Sequence, residues 1–348
     1  MPPENDDAAA GPEPQGHPTI RDVAARAGVS KSLVSLALQN APRVAPRTRT
    51  LILAAADELG YRRNAAAHAL GARRTRTIGV FVLDLHNPVT ADVLDAVQTE
   101  ARRRDYRTLV VVGGEDDEAE RAELEKLLEF RVEGIIALGH RLPAGLDHAL
   151  TAHCPGVVIG SALKGVPHLD SISNDDVVGA GLAVDHLVAL GHERIAHVDG
   201  GSSAVARDRR QGYRQAMRRH GLQHAVAVFP GLFTEEGGYL GTARAMEVEH
   251  PPTALFVVND LAAMGALAAV ADTGRSVPED VSVVGYDGTR LAGIRPVSLT
   301  TVAQPLHDLG TLAVARLCGR LDGEPPSQLQ THLPPALVER RTTGPPPA

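Results

Sequence analysis

From Thr77 onward the chain alternates short aliphatic runs with amphipathic stretches, and this rhythm constrains the fold more than any other feature. Strand-like runs stand at Ile78–Leu83, Thr108–Val112, Gly134–Leu138, Gly156–Ile159, Ile195–Val198, Ala225–Phe229, Ala254–Val258 and Val281–Tyr286. Helix-like stretches between them include Ala91–Arg104, Glu118–Phe130, Gly179–Leu190, Arg207–His220, Thr234–Glu247 and Leu261–Thr273. The runs are apolar on both sides of the strand instead of alternating with polar residues. Strands of that kind belong to parallel sheets covered on both faces. The class predicted is α/β. One sheet of eight strands satisfies the pattern, as do two sheets joined near Ser171–Asp176.

Composition narrows the class further. Apolar residues make up 43% of the 348 residues, but aromatics only 3% and tryptophan none, so the core must be aliphatic. The longest apolar runs are far too short to cross a bilayer, so no membrane partner is expected. Residues 1–18 hold four acids, five prolines and no apolar stretch, which predicts no secretory signal and a cytoplasmic chain. Cys154 and Cys318 stand alone, with neither metal-ligand spacing nor a disulfide framework.

The net charge of −7 conceals an asymmetry. Residues 1–17 carry −4, residues 18–77 carry +8 and residues 78–348 carry −11. A basic module of this size joined to an acidic body fits a nucleic-acid reader with a separate regulatory part. Within the basic stretch three short helices are predicted. Thr19 can cap the first, with Asp22 in its first turn, and Gly28 stops it. Ser30 can cap the second, which runs to about Leu38. The third follows Pro46 and ends before Gly60. Ala24, Gly28 and Val34 have the spacing of a helix-turn-helix: a small residue for close approach, a glycine for the tight turn, and an apolar residue that packs the second helix back. Ile20, Val23, Val34, Leu38 and Ile52 would form its small core, leaving Lys31, Ser32, Ser35 and Leu36 on or near the outward face of a helix that enters the major groove.

Several stretches in order then resemble the lac repressor (LacI/GalR) family. They are TIRDVAARAGVSKSLVSLAL, VAPRTRTLILAAADELGYRRNAAAHAL, RRTRTIGVFVLDLHNP, LVALGHERIAHVDG, ARDRRQGY, VVND, VSVVGYDG and LTTVAQP. The likeness spans Pro18 to about Arg340. It implies a three-helix helix-turn-helix module over 18–63, a hinge helix and linker over 64–76, and a two-lobed periplasmic-binding-protein-like core with parallel sheets over 77–340; outside it, the Pro/Gly/acid-rich residues 1–17 and the Pro-rich end at 341–348 are expected to be disordered tails. Lys31, Ser32 and Leu36 would occupy base-reading positions, and Ser35 and Tyr61 phosphate-contacting ones, with Thr19 and Ser30 at the same DNA-binding surface. The family usually has Arg where Leu36 stands, Asn where Gln39 stands, and Pro where Arg63 stands. Asn64–Leu70 is too short to hold a helix in water. The likeness implies that it folds on DNA, with Ala67 letting two copies approach and Leu70 wedging into the minor groove.

In the body the likeness assigns effector binding to Asn87, Arg209, Asn259 and Asp287, each placed just after a strand or at the start of the following helix. A carboxylate accepts from adjacent hydroxyls and a guanidinium donates in a fixed fork, which suits a sugar-like metabolite. Asn259 also has the position of a helix cap, and Asp287 that of a turn residue before Gly288. Val89-Thr90 replace an aromatic that often follows Asn87-Pro88. Gly179-Ala180-Gly181 lacks the third glycine of a dinucleotide fingerprint and reads as packing. His192 and His197 have no ligand cluster, and Ser202-Ser203 no nucleophile elbow. No catalytic set, metal or cofactor is expected. The reading is a homodimeric repressor that binds a near-palindromic double-stranded operator on the nucleoid, controlled by a small effector, with the helix Ala91–Arg104 in the dimer interface.

Overall fold

The computed structural model describes residues 18–38, 40–62, 74–114, 116–139, 141–151, 153–160, 166, 168–325 and 330–347. The expected N-terminal tail, Gln39, and the hinge positions Asn64, Ala67 and Leu70 lie outside the described residues. The chain forms two compact units, one ending at Arg74 and one beginning at Thr75.

Among the described residues the first unit has three helices, α1 (Ile20–Ala27), α2 (Lys31–Leu38) and α3 (Pro46–Glu58). Thr19 caps α1 in a reciprocal box with Asp22: the Asp22 carboxylate accepts from the Thr19 backbone N–H at 2.7 Å. Gly28 then turns the chain at φ +64°, a left-handed conformation that an L side chain resists. Ser30 accepts from the Leu33 N–H at 3.2 Å and starts α2. Val23, Ala24, Ala27, Val34, Ala37, Val44 and Ile52 close the core with Ala55 and Ala56 of α3. This is the packing that the Ala24, Gly28, Val34 spacing predicts.

The second unit has two six-stranded sheets, which settles the choice left open by the strand pattern. The first lobe holds β1 (Thr77–Val82), α4 (Pro88–Arg103), β2 (Arg107–Val112), α5 (Asp117–Glu129), β3 (Gly134–Leu138), α6 (Leu146–Ala149), β4 (Gly156–Ile159) and β5 (Leu169–Asn174). The second holds α7 (Asp176–Ala189), β6 (Ile195–Val198), α8 (Ala204–Arg219), β7 (Ala227–Phe229), α9 (Glu235–Met246), β8 (Ala254–Val257), α10 (Asp260–Asp272), β9 (Ser282–Asp287) and β10 (Thr300–Ala303). The chain then returns to the first lobe with α11 (Leu306–Leu321) and β11 (Thr331–Leu333), and ends in the second with β12 (Ala336–Val338). The sheet orders are β11-β5-β4-β3-β1-β2 and β12-β10-β9-β8-β6-β7, parallel throughout except for β12. Each sheet buries an aliphatic layer on both faces. Three segments cross between lobes: Asn174–Asp176, Gln304-Pro305 and Pro334-Pro335.

Several expectations need correction. The strand and helix candidates named from the sequence end at Tyr286 and pass over β5, yet β10, α11, β11 and β12 follow Tyr286, and β5 precedes the first crossing. Helix α8 begins at Ala204, capped by Ser203, so Arg209 stands in its second turn and not at its start. Residues 341–347 are not a free tail. The Thr342 hydroxyl accepts from the Thr300 N–H at 2.9 Å and donates to the Val283 carbonyl at 2.7 Å, and the Gly344 carbonyl meets His192. Thr75 and Arg76 belong to the body and not to a linker: the Thr75 hydroxyl donates to the Arg131 carbonyl at 2.8 Å, and the Arg76 N–H to Glu133 at 2.6 Å. His192 bridges Thr253, Ser282 and Gly344, and His197 donates from Nδ1 to the Phe256 carbonyl at 3.0 Å while stacking on the Phe256 ring, so both tie strands together. Gly179 lies against Tyr286, where a Cβ would fall 2.1 Å from the phenol oxygen. No described helix is long and apolar enough to cross a membrane.

Candidate functional site

The strands of both lobes end on a shared cavity of about 200 Å³. Open α/β sheets place ligands at this end because loops and helix starts there converge with few side chains already packed between them. The first lobe contributes the segments after β1, β3 and β4, including Asp84, Asn87, Thr90, Gly139 and Gly160. The second contributes Ser203, Arg209, Phe233 and Asp287. Asn174, Asp176 and Gln304 come from two of the crossing segments.

Arg209 organises the floor. Its side chain is only 3% exposed. Nε donates to Asp176 at 2.9 Å, Nη1 to the Val258 carbonyl at 2.5 Å, and Nη2 to Asp287 at 3.1 Å. Its guanidinium carbon lies 3.7 Å from the Tyr286 ring centroid and 5.8 Å from that of Phe233. Burial alone would lower its pKa, but the charges of Asp176 and Asp287 outweigh that and hold it above its ordinary value. The cation is therefore permanent, and two carboxylates already balance it. Asp287 also accepts from Gln304 Nε2 at 2.7 Å. Burial raises the Asp287 pKa, and Arg209 pulls it only partly back. Asp287 sits at φ +105°, a region that favours glycine, and so stores backbone strain at the cavity wall. Asn174 donates to the Tyr286 hydroxyl at 2.6 Å and to Asp176 at 3.4 Å, while its own carbonyl oxygen has no partner among the described residues.

Asn87, Arg209 and Asp287 thus meet on one cavity. Asn87 also caps α4, accepting from the Val89 N–H at 3.1 Å. Asn259 is not among the lining residues. Its carbonyl accepts from the Ala262 N–H at 2.8 Å and its amide donates to the Phe233 carbonyl at 3.3 Å, so it caps α10 and pins the loop bearing Phe233. Asp260 lies fully buried behind Asp287. It accepts from the Thr289 N–H and hydroxyl at 2.7 and 2.9 Å and from the Thr301 hydroxyl at 2.6 Å. Asp176, Asn174, Gln304 and Phe233 escaped the sequence reading. Gln304 stands within LTTVAQP, one of the stretches that carries the likeness. Phe233 brings an aromatic face from the second lobe, where Val89-Thr90 offer none on the first. Among the described residues no group of three His, Cys, Asp or Glu side chains could hold a metal ion.

On the three-helix unit, Thr19, Ser30, Lys31 and Ser32 are exposed, while Ser35, Leu36 and Tyr61 are half-buried. Thr19 and Ser30 act as helix caps, and Leu36 and Tyr61 rest against the module core. Arg21, Arg43, Arg47 and Arg62 add exposed positive charge.

Comparison with known proteins places both units. Residues 19–64 match the model of bacterial regulatory proteins of the lacI family, and residues 184–343 that of a periplasmic binding protein-like domain. The chain is 32% identical over 330 residues to the transcriptional repressor PurR of Serratia proteamaculans, covering 94% of this chain and 97% of that protein. A structure of the lac repressor dimer bound to operator and an anti-inducer aligns with a TM-score of 0.82 at 31% identity, covering 94% of this chain and all of the other. A LacI transcriptional regulator from Rhodococcus aligns with a TM-score of 0.72 at 38% identity, covering 77% of this chain and 98% of the other. These relatives are regulators of transcription. With its helix-turn-helix unit, its two-lobed body and about a third of its residues shared along nearly its full length, the chain belongs to the lacI family of bacterial regulatory proteins and is a DNA-binding regulator of transcription with an effector-binding body.

Proposed function

We propose that two copies of this chain repress transcription from a near-palindromic operator on the nucleoid, and that a small hydroxyl-bearing metabolite, a sugar or close relative, controls them from the cavity. One observation carries this reading: a single network of buried Arg209 and Asp287 with half-buried Asp176 and Gln304 lines the cavity and includes residues from two of the three crossings between lobes. A ligand that bonds to this network bears directly on the angle between lobes. It shifts the DNA-competent population only by as much as it prefers one arrangement over the other.

In this reading Lys31, Ser32 and Leu36 face base edges, and Thr19, Ser30, Ser35 and Tyr61 face the backbone. Asn64, Ala67 and Leu70 enter the minor groove as a pair. Asn87, Arg209 and Asp287, joined by Asn174, Asp176 and Gln304, hold the effector, and Asn259 supports them from behind. Helix α4 contributes to the dimer contact. Two related regulators have been solved with cellobiose and with ribose, which supports a sugar-like occupant here.

The test selects duplexes from a random pool with the full chain, then titrates the best duplex with a metabolite panel. Wild type should show at least one compound that changes duplex affinity tenfold or more, in the range of about 1–3 kcal/mol typical of coupled sites. Asp287→Asn should bind the duplex as wild type does and lose the response. An unchanged response in Asp287→Asn removes that carboxylate from the effector site.

A further inference from the structure

The second helix of a helix-turn-helix presents its N-terminal residues to base edges in the major groove. Here that helix, α2, reads Lys-Ser-Leu-Val-Ser-Leu-Ala-Leu. Val34 and Ala37 are buried in the module, Lys31 and Ser32 are exposed, and Ser35 and Leu36 are half-buried. The side chains that grip a base edge with two hydrogen bonds are Arg or Lys on guanine, Asn or Gln on adenine, and Asp or Glu on cytosine. Of these types α2 holds Lys31 alone, at its first position. An ammonium is a compact charge on a flexible stem and lacks the rigid fork of Arg. Among the described residues the exposed arginines of the unit lie off this helix, at positions 21, 26, 43, 47, 62 and 74. Arginines that meet phosphates set affinity and register without reading sequence.

Leu36 is the apolar residue of α2 one turn beyond Ser32. It packs partly against the module core, which limits its rotamers and fixes where its exposed part stands. The apolar group on the major-groove edges is the 5-methyl of thymine. We propose that Leu36 is a specificity-determining residue that reads the 5-methyl of one thymine in each half of the operator. This rests on the reading of the unit as a DNA-binding module with α2 in the major groove.

Duplexes selected from a random pool by the full-length chain provide the test. In the best duplex, each thymine of a half-site is replaced in turn by uracil, which removes the methyl and leaves base pairing intact. One position per half-site should lose about three- to fivefold in affinity, the worth of one buried methyl group. Leu36→Ala should abolish that sensitivity. A second selection with Leu36→Arg should bring in guanine at the same base pair by about five- to a hundredfold, the discrimination of a bidentate contact. Uracil that is neutral at every position overturns the proposal, as does a uracil sensitivity that Leu36→Ala leaves unchanged. If Leu36→Arg does not fold, the uracil measurement on wild type and Leu36→Ala decides. Failure to enrich any duplex has a different signature: it removes the DNA reading itself, and the proposal with it.

Discussion

Asp260 shows how one carboxylate can serve a site it never lines. Behind the cavity wall it takes three hydrogen bonds from Thr289 and Thr301 and so fixes the turn that follows Asp287. Burial pushes its pKa up to about 7, the nearby Asp287 charge adds to this, and the threonine hydrogen bonds only partly offset it. The raised value means that the folded protein keeps a proton which the unfolded chain has released. Stability from this group therefore falls as pH rises from the ordinary carboxylate value towards 7, and levels off above that. Asn is neutral throughout. The melting temperature of Asp260→Asn relative to wild type should climb by several degrees between about pH 4 and about pH 8, as calorimetry on the body's transition would show. A flat difference across that window would mean that Asp260 titrates as an ordinary carboxylate. Arg209 illustrates the opposite case. A cation with two carboxylates at 2.9 and 3.1 Å has little left to offer an anionic ligand, which is a second reason to expect a hydroxyl-bearing effector.

The helices of the second lobe meet through glycine. A Cβ on Gly265 of α10 would fall 1.9 Å from the Glu235 carbonyl, and one on Gly238 of α9 would fall 1.9 Å from the Ala262 carbonyl. Backbone therefore lies on backbone, and neither contact can yield by turning a side chain. Gly265→Ala should force α9 and α10 apart and cost about 1–3 kcal/mol. Gly181→Ala in α7 meets only an arginine tip at 3.8 Å, so it should gain up to about 1 kcal/mol from helix propensity alone. Chemical denaturation of the two variants should move in opposite directions, and matching shifts would refute the packing argument. The same glycines bear on what the sequence revealed. Strands with unbroken aliphatic runs, such as β1, β3 and β8, announced themselves. Helix α11 did not: it carries Gly310 and Gly319, and the first presses against Val93 and Ala96 of α4. Strands β5 and β10 did not either, because their buried Ser and Thr look polar until their partners are known. Thr301 bonds to Asp260, 41 residues away, and Ser173 to His332, 159 residues away. For the site, Asn87 and Asp287 were legible as polar residues near strand ends, whereas Arg209, flanked by Arg207 and Arg210, stood out only through the family likeness. Asn174, Asp176 and Gln304 were not legible, since they matter only where the chain changes sheets, and the strand pattern left the number of sheets open.

The charge of the whole molecule divides as its work does. Residues 18–77 carry +8 and residues 78–348 carry −11, so the body repels the polyanion that the first unit must hold. Affinity for a duplex then depends on the few cations of the first unit, and each phosphate neutralised releases counterions and steepens the salt dependence. The body, by contrast, contains its own four helical layers, both sheets and the complete cavity network from Thr75 onward. A chain beginning at Thr75 should therefore fold, melt as the body does in the full chain, and bind the effector found in the metabolite panel with unchanged affinity. It should show no duplex binding even at low ionic strength, where the intact chain binds selected and unselected duplexes alike. Fluorescence anisotropy against a salt series distinguishes the outcomes. A shortened chain that still binds DNA, with a salt slope like that of the intact protein, would place the phosphate grip on the acidic body and undo the division of labour between the two units.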